Sequence, residues 1–287
     1  MASLIEYISR VDAAISMLQR LEPTALKYSP DGFIVGFSGG KDSQVIYQLA
    51  NMAGIKFRAI HSLTTMDAPQ TIYFIREHYP DVQIVRPARN FAQVCIHHKM
   101  LPTRNVRFCC RELKESYGNG QVVITGVRRA ESLRRSARNE VEIQTRRRHP
   151  EYVSGSLDEF ELYQSVVVDC LQGKDKLIVN PIIDWEDSHV WEFLKREDLP
   201  TNPLYDLGCD RVGCILCPMA QINSKRHEIR LFPKYAERYL RIIRRIREAR
   251  IETSGTDYCF GHTDSQVFSD WLQEKAPDRS LSLPFDD

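Results

Sequence analysis

The stretch Phe33–Val45, FIVGFSGGKDSQV, carries the clearest structural signal of this chain. Its first part is a short apolar run with the composition of a buried strand, and the run ends at the polar, glycine-rich segment SGGKDS. Apolar residues then recur at helical spacing from Val45 to Ala50. The stretch therefore predicts a strand, a tight loop and the start of a helix in immediate succession.

The residue types in this loop suit a polyanionic ligand. Two adjacent glycines let the backbone approach a ligand closely, and a helix start offers free N–H groups at the positive end of the helix dipole. Lys41 adds a point charge, Asp42 is a candidate ligand for Mg²⁺, and two serines can donate hydrogen bonds. The candidate ligand-binding residues of the loop are Ser38, Gly39, Gly40, Lys41, Asp42 and Ser43.

The spacing differs from that of two common phosphate-binding motifs. The lysine follows two glycines directly, so the loop is not a GxxxxGKS/T loop, and it lacks the GxGxxG pattern of dinucleotide-binding folds. A plain glycine turn between a strand and a helix is the alternative interpretation. Six suitable positions in a strand–loop–helix context favour phosphate binding.

The composition of the chain is that of a soluble globular protein. The 287 residues are 43% hydrophobic and 27% charged, and the net charge of +1 predicts no general affinity for anions. No apolar stretch reaches the roughly 20 residues that span a bilayer. Acidic residues interrupt the N-terminal segment, so we expect neither a signal peptide nor a membrane partner. The eight cysteines are expected in a reducing cytoplasm, where clustered cysteines indicate metal or redox chemistry.

Strand and helix patterns alternate along the chain. This alternation predicts an α/β, Rossmann-like parallel sheet with helices on both faces, whose ligands bind at the carboxyl ends of the strands. We expect an α/β domain over residues 1–200, and a cysteine loop with a small, basic helical region over residues 201–287. Strands are predicted at 33–37, 56–62, 82–86, 121–126 and 177–179, and helices at 3–20, 43–52, 69–79, 91–98 and 186–196.

The alternation breaks down between about residues 128 and 176, which are polar and arginine-rich. We expect a lid or a mobile insertion there. The helical pattern resumes in the basic C-terminal region, at about 224–250, and residues 276–287 are expected to form a tail.

Four cysteines in two distant segments form a candidate metal site. Cys109 and Cys110 are adjacent, and Cys214 and Cys217 form a CxxC pair. Four thiolates suit a 4Fe–4S cluster or a structural zinc ion, and a role without metal is the third alternative. Cys209, near the CxxC pair, is interpreted as a bystander.

Together these features resemble the phosphoadenosine phosphosulfate (PAPS) reductase family of PP-loop proteins, whose phosphate loop reads SGGxDS. The resemblance extends from about Phe33 to Pro218 and includes SGGKDS, TTMDAPQ, RFCCREL, TGVRRAES, NPIIDW and NPLYDLGCDRVGCILCP. It implies a HUP-type fold that binds ATP and cleaves it between the α- and β-phosphates, with pyrophosphate on the loop. The paired CC and CxxC segments resemble the cluster site of assimilatory adenylylsulfate reductases, which favours a 4Fe–4S cluster over zinc.

The resemblance also implies roles for individual residues. The family's TGxR segment supplies arginines for phosphate or sulfate groups, so Gly126, Arg128 and Arg129 are expected at the nucleotide, with Arg135 as a further candidate. A solvated basic loop is the alternative. The loop with Thr64, Thr65 and Asp67 is expected to face the substrate or to be a plain turn; NPIIDW is expected to be structural, and NPLYD to position the cysteine loop or reach the nucleotide. The expected catalytic residues are Lys41, Asp42 and Arg128.

The chain departs from the sulfonucleotide reductases at two points. It lacks their C-terminal ECGxH-type motif, since the only late cysteine is Cys259 in DYCFGHTDS, and its phosphate loop is complete where theirs is usually degraded. The combination resembles the ATP-dependent sulfur-transfer branch that includes the DNA phosphorothioation component. It implies an Fe–S ATP pyrophosphatase and sulfurtransferase that uses Mg²⁺, adenylylates an acceptor, and works with a cysteine desulfurase or another sulfur donor.

Two other functions stay open. The second hypothesis is a PAPS or adenylylsulfate reductase that releases sulfite, with Cys259 as the nucleophile. The third is a non-catalytic Fe–S module that senses an adenine nucleotide.

Two basic segments indicate which kind of acceptor the protein would bind. The stretch 128–149 and a C-terminal helix face with Arg238, Arg241 and Arg245 suit a polyanion, and we expect DNA in preference to tRNA. An exposed helix with Arg–Glu pairs is the alternative.

Overall fold

The structure is a computed structural model, and it describes residues 2–114, 117–144, 154–158, 175–255 and 261–273. The described residues include a seven-stranded sheet with the order β3-β2-β1-β4-β7-β5-β6. The strands are β1 (Phe33–Gly36), β2 (Phe57–Ser62), β3 (Gln83–Val85), β4 (Val122–Ile124), β5 (Val141–Gln144), β6 (Ser154–Gly155) and β7 (Lys176–Val179).

Five neighbouring strands are parallel, and the far edge is antiparallel. β1 pairs with β2 (Phe33 opposite Phe57) and with β4 (Ile34 opposite Val123), both in parallel. β2 pairs with β3 and β4 with β7 in the same sense, whereas β5 runs antiparallel to β7 and to β6. The chain leaves β1 towards β2 on one side, while β4 lies on the other. The carboxyl ends of β1 and β4 therefore form the switch point at which such sheets bind ligands.

Helices connect and follow the strands. They are α1 (Ala2–Tyr28), α2 (Lys41–Met52), α3 (Pro69–His78), α4 (Phe91–His98), α5 (Phe108–Leu113), α6 (Leu133–Ser136), α7 (Asp187–Arg196), α8 (Pro203–Asp206), α9 (Ile222–Leu231), α10 (Pro233–Ser254) and α11 (Asp264–Gln273), with a 3₁₀ turn at Arg129–Glu131. No helix within the described ranges combines the length and the apolar character needed to cross a lipid bilayer.

The chain packs as two compact units. The first comprises Met1–Ser62, Pro69–Val85 and Ser116–Val212, and the second comprises Leu63–Ala68, Arg86–Glu115 and Gly213–Asp287. Packing thus groups Leu63–Ala68 and Arg86–Glu115 with the C-terminal region. The expected division after residue 200, into an α/β domain and a C-terminal region, stays a prediction.

The core of the first unit is built around β1. Its residues Phe33, Ile34 and Val35 are fully buried, as expected for a central strand that is covered on both faces. The apolar face of α2 and two leucines of α1, Leu18 and Leu21, belong to the same buried core. Because both ends of the phosphate loop are anchored in this core, the loop has a rigid support.

The predicted α/β architecture is confirmed. Each predicted strand is present, with its ends shifted by no more than two residues, and α2, α3, α4 and α7 lie where helices were predicted. The N-terminal helix is longer than predicted and continues through Pro23. The helical pattern predicted at about 224–250 corresponds to two helices, α9 and α10, separated by Phe232, and α10 starts with Pro233, a residue suited to the first helical position.

The predicted lid or mobile insertion is corrected for its described part. Residues Val141–Gln144 form β5, which extends the sheet by pairing with β7. Sequence periodicity missed this strand because it is short and follows a polar segment. Residues 145–153 and 159–174, the predicted tail at 276–287, and Cys259 lie outside the described residues.

Candidate functional site

Both glycines of the phosphate loop are required by space, and one is also required by conformation. Gly39 has φ +77°, and a Cβ there would lie 3.0 Å from Thr71 Cγ2 and 3.2 Å from Ile75 Cγ1. Gly40 precedes the first residue of α2, and a Cβ there would lie 3.3 Å from Tyr205 Oη. Any side chain at either position would push neighbouring groups away, so the tight path of the loop depends on glycine.

Hydrogen bonds hold the loop in shape without a ligand. Ser43 Oγ donates to the Gly40 carbonyl over 2.8 Å, and Ser38 Oγ accepts the Gly40 N–H over 3.3 Å. Asn202 Nδ2 donates to the Gly39 carbonyl over 2.9 Å. In the part of the chain that the structure describes, the N–H groups of Asp42 and Ser43 have no acceptor. Two donors at the start of α2 are therefore free for an anion.

Four charged side chains form a network beside the loop. The Lys41 ammonium lies 3.1 Å from Asp187 Oδ1 and 3.7 Å from Asp42 Oδ2. Arg128, only 2% exposed, donates from Nε to Asp42 over 2.7 Å, from Nη2 to Asp187 over 2.9 Å, and from Nη1 to the Trp185 carbonyl over 3.1 Å. Two cations and two carboxylates thus balance one another.

The network shifts the pKa values of Asp187 and Arg128 in the direction that favours their charged forms. Burial alone would raise the pKa of Asp187, but hydrogen bonds and ion pairs with Lys41 and Arg128 outweigh burial and hold that pKa below its usual range. Burial acts to lower the pKa of Arg128, but the charge and hydrogen bond of Asp42, together with Glu131 and Asp187, outweigh burial and raise that pKa. Trp191 Nε1 also donates to Asp187 over 3.2 Å, which fixes the carboxylate further.

The loop after β4 touches the phosphate loop. A Cβ at Gly126 would lie 2.9 Å from the carbonyl oxygen of Asp42, so only glycine permits this approach. The neighbouring arginines differ in their partners. Arg129 pairs with Asp184 and donates from Nε to the Arg138 carbonyl, and Arg135 pairs with Glu131.

The structure brings most of the predicted nucleotide-binding residues together. Arg128 is an internal clamp on Asp42, whereas Arg129 is engaged by Asp184 and a carbonyl group. The roles of all of these residues stay predictions. The residues that gather at the switch point are Ser38, Gly39, Gly40, Lys41, Asp42, Ser43, Gly126 and Arg128.

Sequence reasoning missed three side chains at this site. Asp187 is the first residue of α7, where an acidic residue is explained by the helix dipole alone. Asn202 caps α8 through the Leu204 N–H, so its second hydrogen bond to the loop has no local signal. Tyr205 lies in NPLYD, a segment for which contact with the nucleotide was one of the two expectations.

The second unit holds the four cysteines of the predicted metal site. Cys109 and Cys110 belong to α5, and the CxxC pair precedes α9. Cys214 Sγ donates to Thr64 Oγ1 over 3.3 Å. The carboxylate of Asp67 accepts from both the N–H and the hydroxyl of Thr64, over 2.6 and 2.8 Å, and so closes a turn, as the alternative for that loop predicted.

The four thiols share one electrostatic neighbourhood. A hydrogen bond with Cys110 raises the pKa of Cys109, and burial and the negative charges of Cys214 and Cys217 raise it further. The pKa of Lys114 is raised chiefly by the charge of Cys214. A lysine ammonium therefore stands beside the thiols as a counter-charge.

These residues fit a thiophilic metal group by donor type and by neighbourhood. As placed, however, no three Cys, His, Asp or Glu side chains among the described residues are arranged as a ready set of metal ligands. Thiol groups that repel one another when ionised need a metal to draw them together, so these two observations are compatible. Cys209 belongs to the first unit, and Cys95 is fully buried in α4.

The CxxC loop is supported by helices of its own unit. Leu216 has φ +56°, and its N–H donates to Glu228 over 2.6 Å. Tyr239 of α10, which is buried, donates its hydroxyl to the Leu216 carbonyl over 3.0 Å. Bonds to side chains on either side of this strained residue hold the conformation of the loop.

Comparison with known proteins gives a family and several relatives. An uncharacterized protein of Methanocaldococcus jannaschii is 27% identical over 229 residues, which are 75% of this chain and 42% of that protein. The adenosine 5′-phosphosulfate reductase of Bacillus cereus (strain AH187) is 24% identical over 206 residues, covering 68% of this chain and 76% of the relative. This chain spans less than half the length of the archaeal proteins it matches.

Among solved structures, phosphoadenylyl-sulfate reductase from Candida auris matches with a TM-score of 0.44 and 19% identity, over 68% of this chain and 87% of that chain. The family model of the phosphoadenosine phosphosulfate reductase domain matches residues 32–220, from the residue before β1 to beyond the CxxC pair. Because this match covers more than half of the sequence, the chain belongs to the phosphoadenosine phosphosulfate reductase domain family.

Proposed function

We propose that this protein binds ATP at the loop Ser38–Ser43 and cleaves it between the α- and β-phosphates, transferring AMP to an acceptor. The complete phosphate loop carries this proposal. Its two open N–H groups at the start of α2, its glycine-dependent path and the adjacent Lys41 suit a pyrophosphate group. A sulfonucleotide has no β,γ-pyrophosphate and would leave such a cradle empty.

The proposed reaction places charge on the leaving pyrophosphate. An acceptor oxygen attacks the α-phosphorus, the bond from that phosphorus to the bridging oxygen breaks, and pyrophosphate departs. The helix N–H groups and Lys41 stabilise the charge that develops on the leaving group. To reach it, the Lys41 ammonium exchanges Asp187 for a phosphate oxygen, and Arg128 holds Asp42 in place during the exchange.

The residues at this loop fit Mg²⁺. Magnesium is usually held by one or two carboxylates together with substrate phosphates. Asp42 would hold it, and the ion would neutralise phosphate charge. This mode needs no set of three protein ligands, so the arrangement of the described carboxylates agrees with it.

We further propose that Cys109, Cys110, Cys214 and Cys217 hold a 4Fe–4S cluster, with zinc as the alternative metal. When bound, such a cluster would carry sulfur or hold the second unit together. Lys114 would remain beside it and offset the negative charge of the thiolates. Iron and acid-labile sulfide, measured on protein purified without oxygen, distinguish the two metals.

DNA is the proposed acceptor, in preference to tRNA, and a cysteine desulfurase or another sulfur donor would supply the sulfur that displaces AMP. Exposed cations on α9 and α10 support a polyanionic partner. Arg238 is half-buried and donates to the Thr65 carbonyl over 2.6 Å, so it contributes less than predicted. The exposed cations, none of which forms an ion pair within the described ranges, are Arg226, Arg230, Lys234, Arg241 and Arg245.

Binding to a DNA duplex at several salt concentrations tests this partner. Replacing both Arg241 and Arg245 by Glu should weaken binding and make it less dependent on salt, because each phosphate contact contributes to the salt slope. Arg76 and Arg86 are exposed arginines outside these helices, and their replacement by Glu changes the net charge equally. Equal losses in both double variants would contradict a specific surface.

A sulfonucleotide reductase is the second candidate function. Its support is the similarity to Bacillus proteins named adenosine 5′-phosphosulfate reductases. In this reading, the Cys259 thiolate attacks the sulfur of the nucleotide and displaces the adenosine phosphate, and a dithiol reductant such as thioredoxin then attacks the sulfonated Cys259 and releases sulfite.

One experiment separates the candidates. Anaerobically purified protein is incubated with Mg-ATP and, separately, with PAPS or adenylylsulfate plus thioredoxin, and pyrophosphate and sulfite are assayed. We expect pyrophosphate from ATP, lost in Lys41→Ala and Asp42→Ala and retained in Lys56→Ala, an exposed lysine. Sulfite without pyrophosphate would establish the reductase, and nucleotide binding without either product would favour the third hypothesis, a sensing module.

A further inference from the structure

Tyr205 places a hydroxyl group directly on the phosphate loop. Its Oη accepts the N–H of Lys41, the first residue of α2, over 2.9 Å. The same oxygen would lie 3.3 Å from a Cβ at Gly40, so it rests against the backbone of the loop. Sequence separation between Tyr205 and Lys41 is 164 residues, and this contact belongs to the tertiary structure of the first unit.

The position of this hydroxyl is fixed by its surroundings. Asn202 caps α8 at the Leu204 N–H and donates to the Gly39 carbonyl, so the short helix is tied to the loop at two points. The ring of Trp191 meets the Tyr205 ring edge to face, with centroids 5.1 Å apart. Such aromatic pairs favour one orientation of the ring. The hydroxyl is therefore pre-positioned and not a flexible surface group.

The hydrogen-bond inventory leaves one donor unused. A tyrosine hydroxyl has one O–H to donate and can also accept. The Lys41 N–H uses the acceptor, and the O–H finds no acceptor within the part of the chain that is described. Burial raises the pKa of Tyr205, so the hydroxyl keeps its proton at neutral pH.

We infer that the Tyr205 hydroxyl binds the pyrophosphate group together with Lys41 and the open N–H groups of the loop. Its O–H donates a hydrogen bond to an oxygen of the bound pyrophosphate. This inference rests on the proposed function and identifies how its ligand is held. Lys41 must give up Asp187 to reach the ligand, and Arg128 stays bound to Asp42, so neutral donors carry a larger share of recognition here than in a site with free cations. The hydroxyl joins the open N–H groups of Asp42 and Ser43 in this role.

Calorimetric titration with Mg-pyrophosphate and with AMP tests the inference. Tyr205→Phe should weaken pyrophosphate binding by about tenfold or more, since a hydrogen bond to a charged group is lost, and should leave AMP binding unchanged. Tyr79→Phe is the matched control, because Tyr79 is a buried tyrosine of the first unit whose hydroxyl has no partner among the described residues. It should bind both ligands like the wild type.

The other outcomes are decisive. Unchanged or tighter pyrophosphate binding by Tyr205→Phe would overturn the inference, and tighter binding would identify the hydroxyl as a plug that competes with the ligand. An equal loss for AMP would show a structural role and also overturn it. A wild-type protein that binds no pyrophosphate would instead overturn the proposed function, and this inference with it.

Discussion

The phosphate loop of the first unit and the cysteine segment of the second are built on opposite principles. In the loop, each charged side chain already has a partner, and the backbone donors stand in place before any ligand arrives. Among the cysteines, Cys110, burial and the charges of Cys214 and Cys217 raise the pKa of the Cys109 thiol, and the described residues contain no ready metal set.

The two sites depend on folding and on ligand binding in different ways. Backbone N–H groups carry partial charges that the helix itself orients, so the fold of the chain builds such a cradle for phosphate. Thiolate ligands repel one another, and only a bound metal converts that repulsion into stabilisation. We expect ligand binding to add little order to the first site and much to the second.

The largest expected effect comes from the cysteines. Cys214→Ser should abolish the iron content and the visible absorbance expected of the proposed cluster, because one of its four proposed ligands is lost. Cys209→Ser, which removes a thiol of the first unit, should retain both. Because the phosphate loop belongs to the first unit and Cys214 to the second, we expect Cys214→Ser still to bind pyrophosphate in a calorimetric titration. Loss of iron in both variants, or in neither, would contradict the ligand assignment.

Removing the buried guanidinium should be the most costly change in the first site. Arg128→Met leaves Lys41 as the remaining cation shared by Asp42 and Asp187, and the free energy of unfolding should fall by about 3 kcal/mol. Arg129→Met removes an arginine whose side chain is 34% exposed and should cost less than about 1 kcal/mol. Urea denaturation measures both. Similar costs for the two variants would show that burial of Arg128 does not matter.

A smaller effect is expected at Gly39. Gly39→Ala forces a Cβ onto a left-handed residue and against Thr71 and Ile75, at a cost of about 2 kcal/mol. Gly255→Ala has the same strain, with φ +71°, but meets nothing within 4 Å, so it should cost about 1 kcal/mol. Urea denaturation of both variants isolates the crowding. A Gly39 variant as stable as the Gly255 variant would show that the loop relaxes freely.

The smallest effect is the pH dependence of Asp187. Its folded pKa is depressed, so its stabilising contribution is present above its unfolded pKa of about 4 and is lost as the pH falls through the folded pKa. Because this side chain is 62% exposed, Asp187→Asn should cost less than about 1 kcal/mol at pH 7. The difference from the wild type should shrink below pH 4, and a difference that grows there would contradict the sign of the shift.

The sequence predicted local structure better than it predicted partners. The strand–loop–helix at β1 and α2 has a complete local signal, since apolar periodicity and glycine spacing are properties of neighbouring residues. The clamp of Arg128 on Asp42 and Asp187 joins residues 86 and 59 positions apart, and no local pattern contains such a pairing. For the same reason, Arg129 was grouped with Arg128, although only one of the two is buried at the loop.

The antiparallel pairing of β5 with β7 has a consequence for the length of the chain. Gln144 and Lys176 are register partners, so β5 ends and β7 begins at neighbouring positions of the sheet. A segment attached in this way can lengthen or shorten with only a slow change in loop-closure entropy. Its replacement by a tight turn would cost the short β6 pairing and the burial of Leu157. Changes of length between β5 and β7 would therefore leave the pairing of these two strands in place.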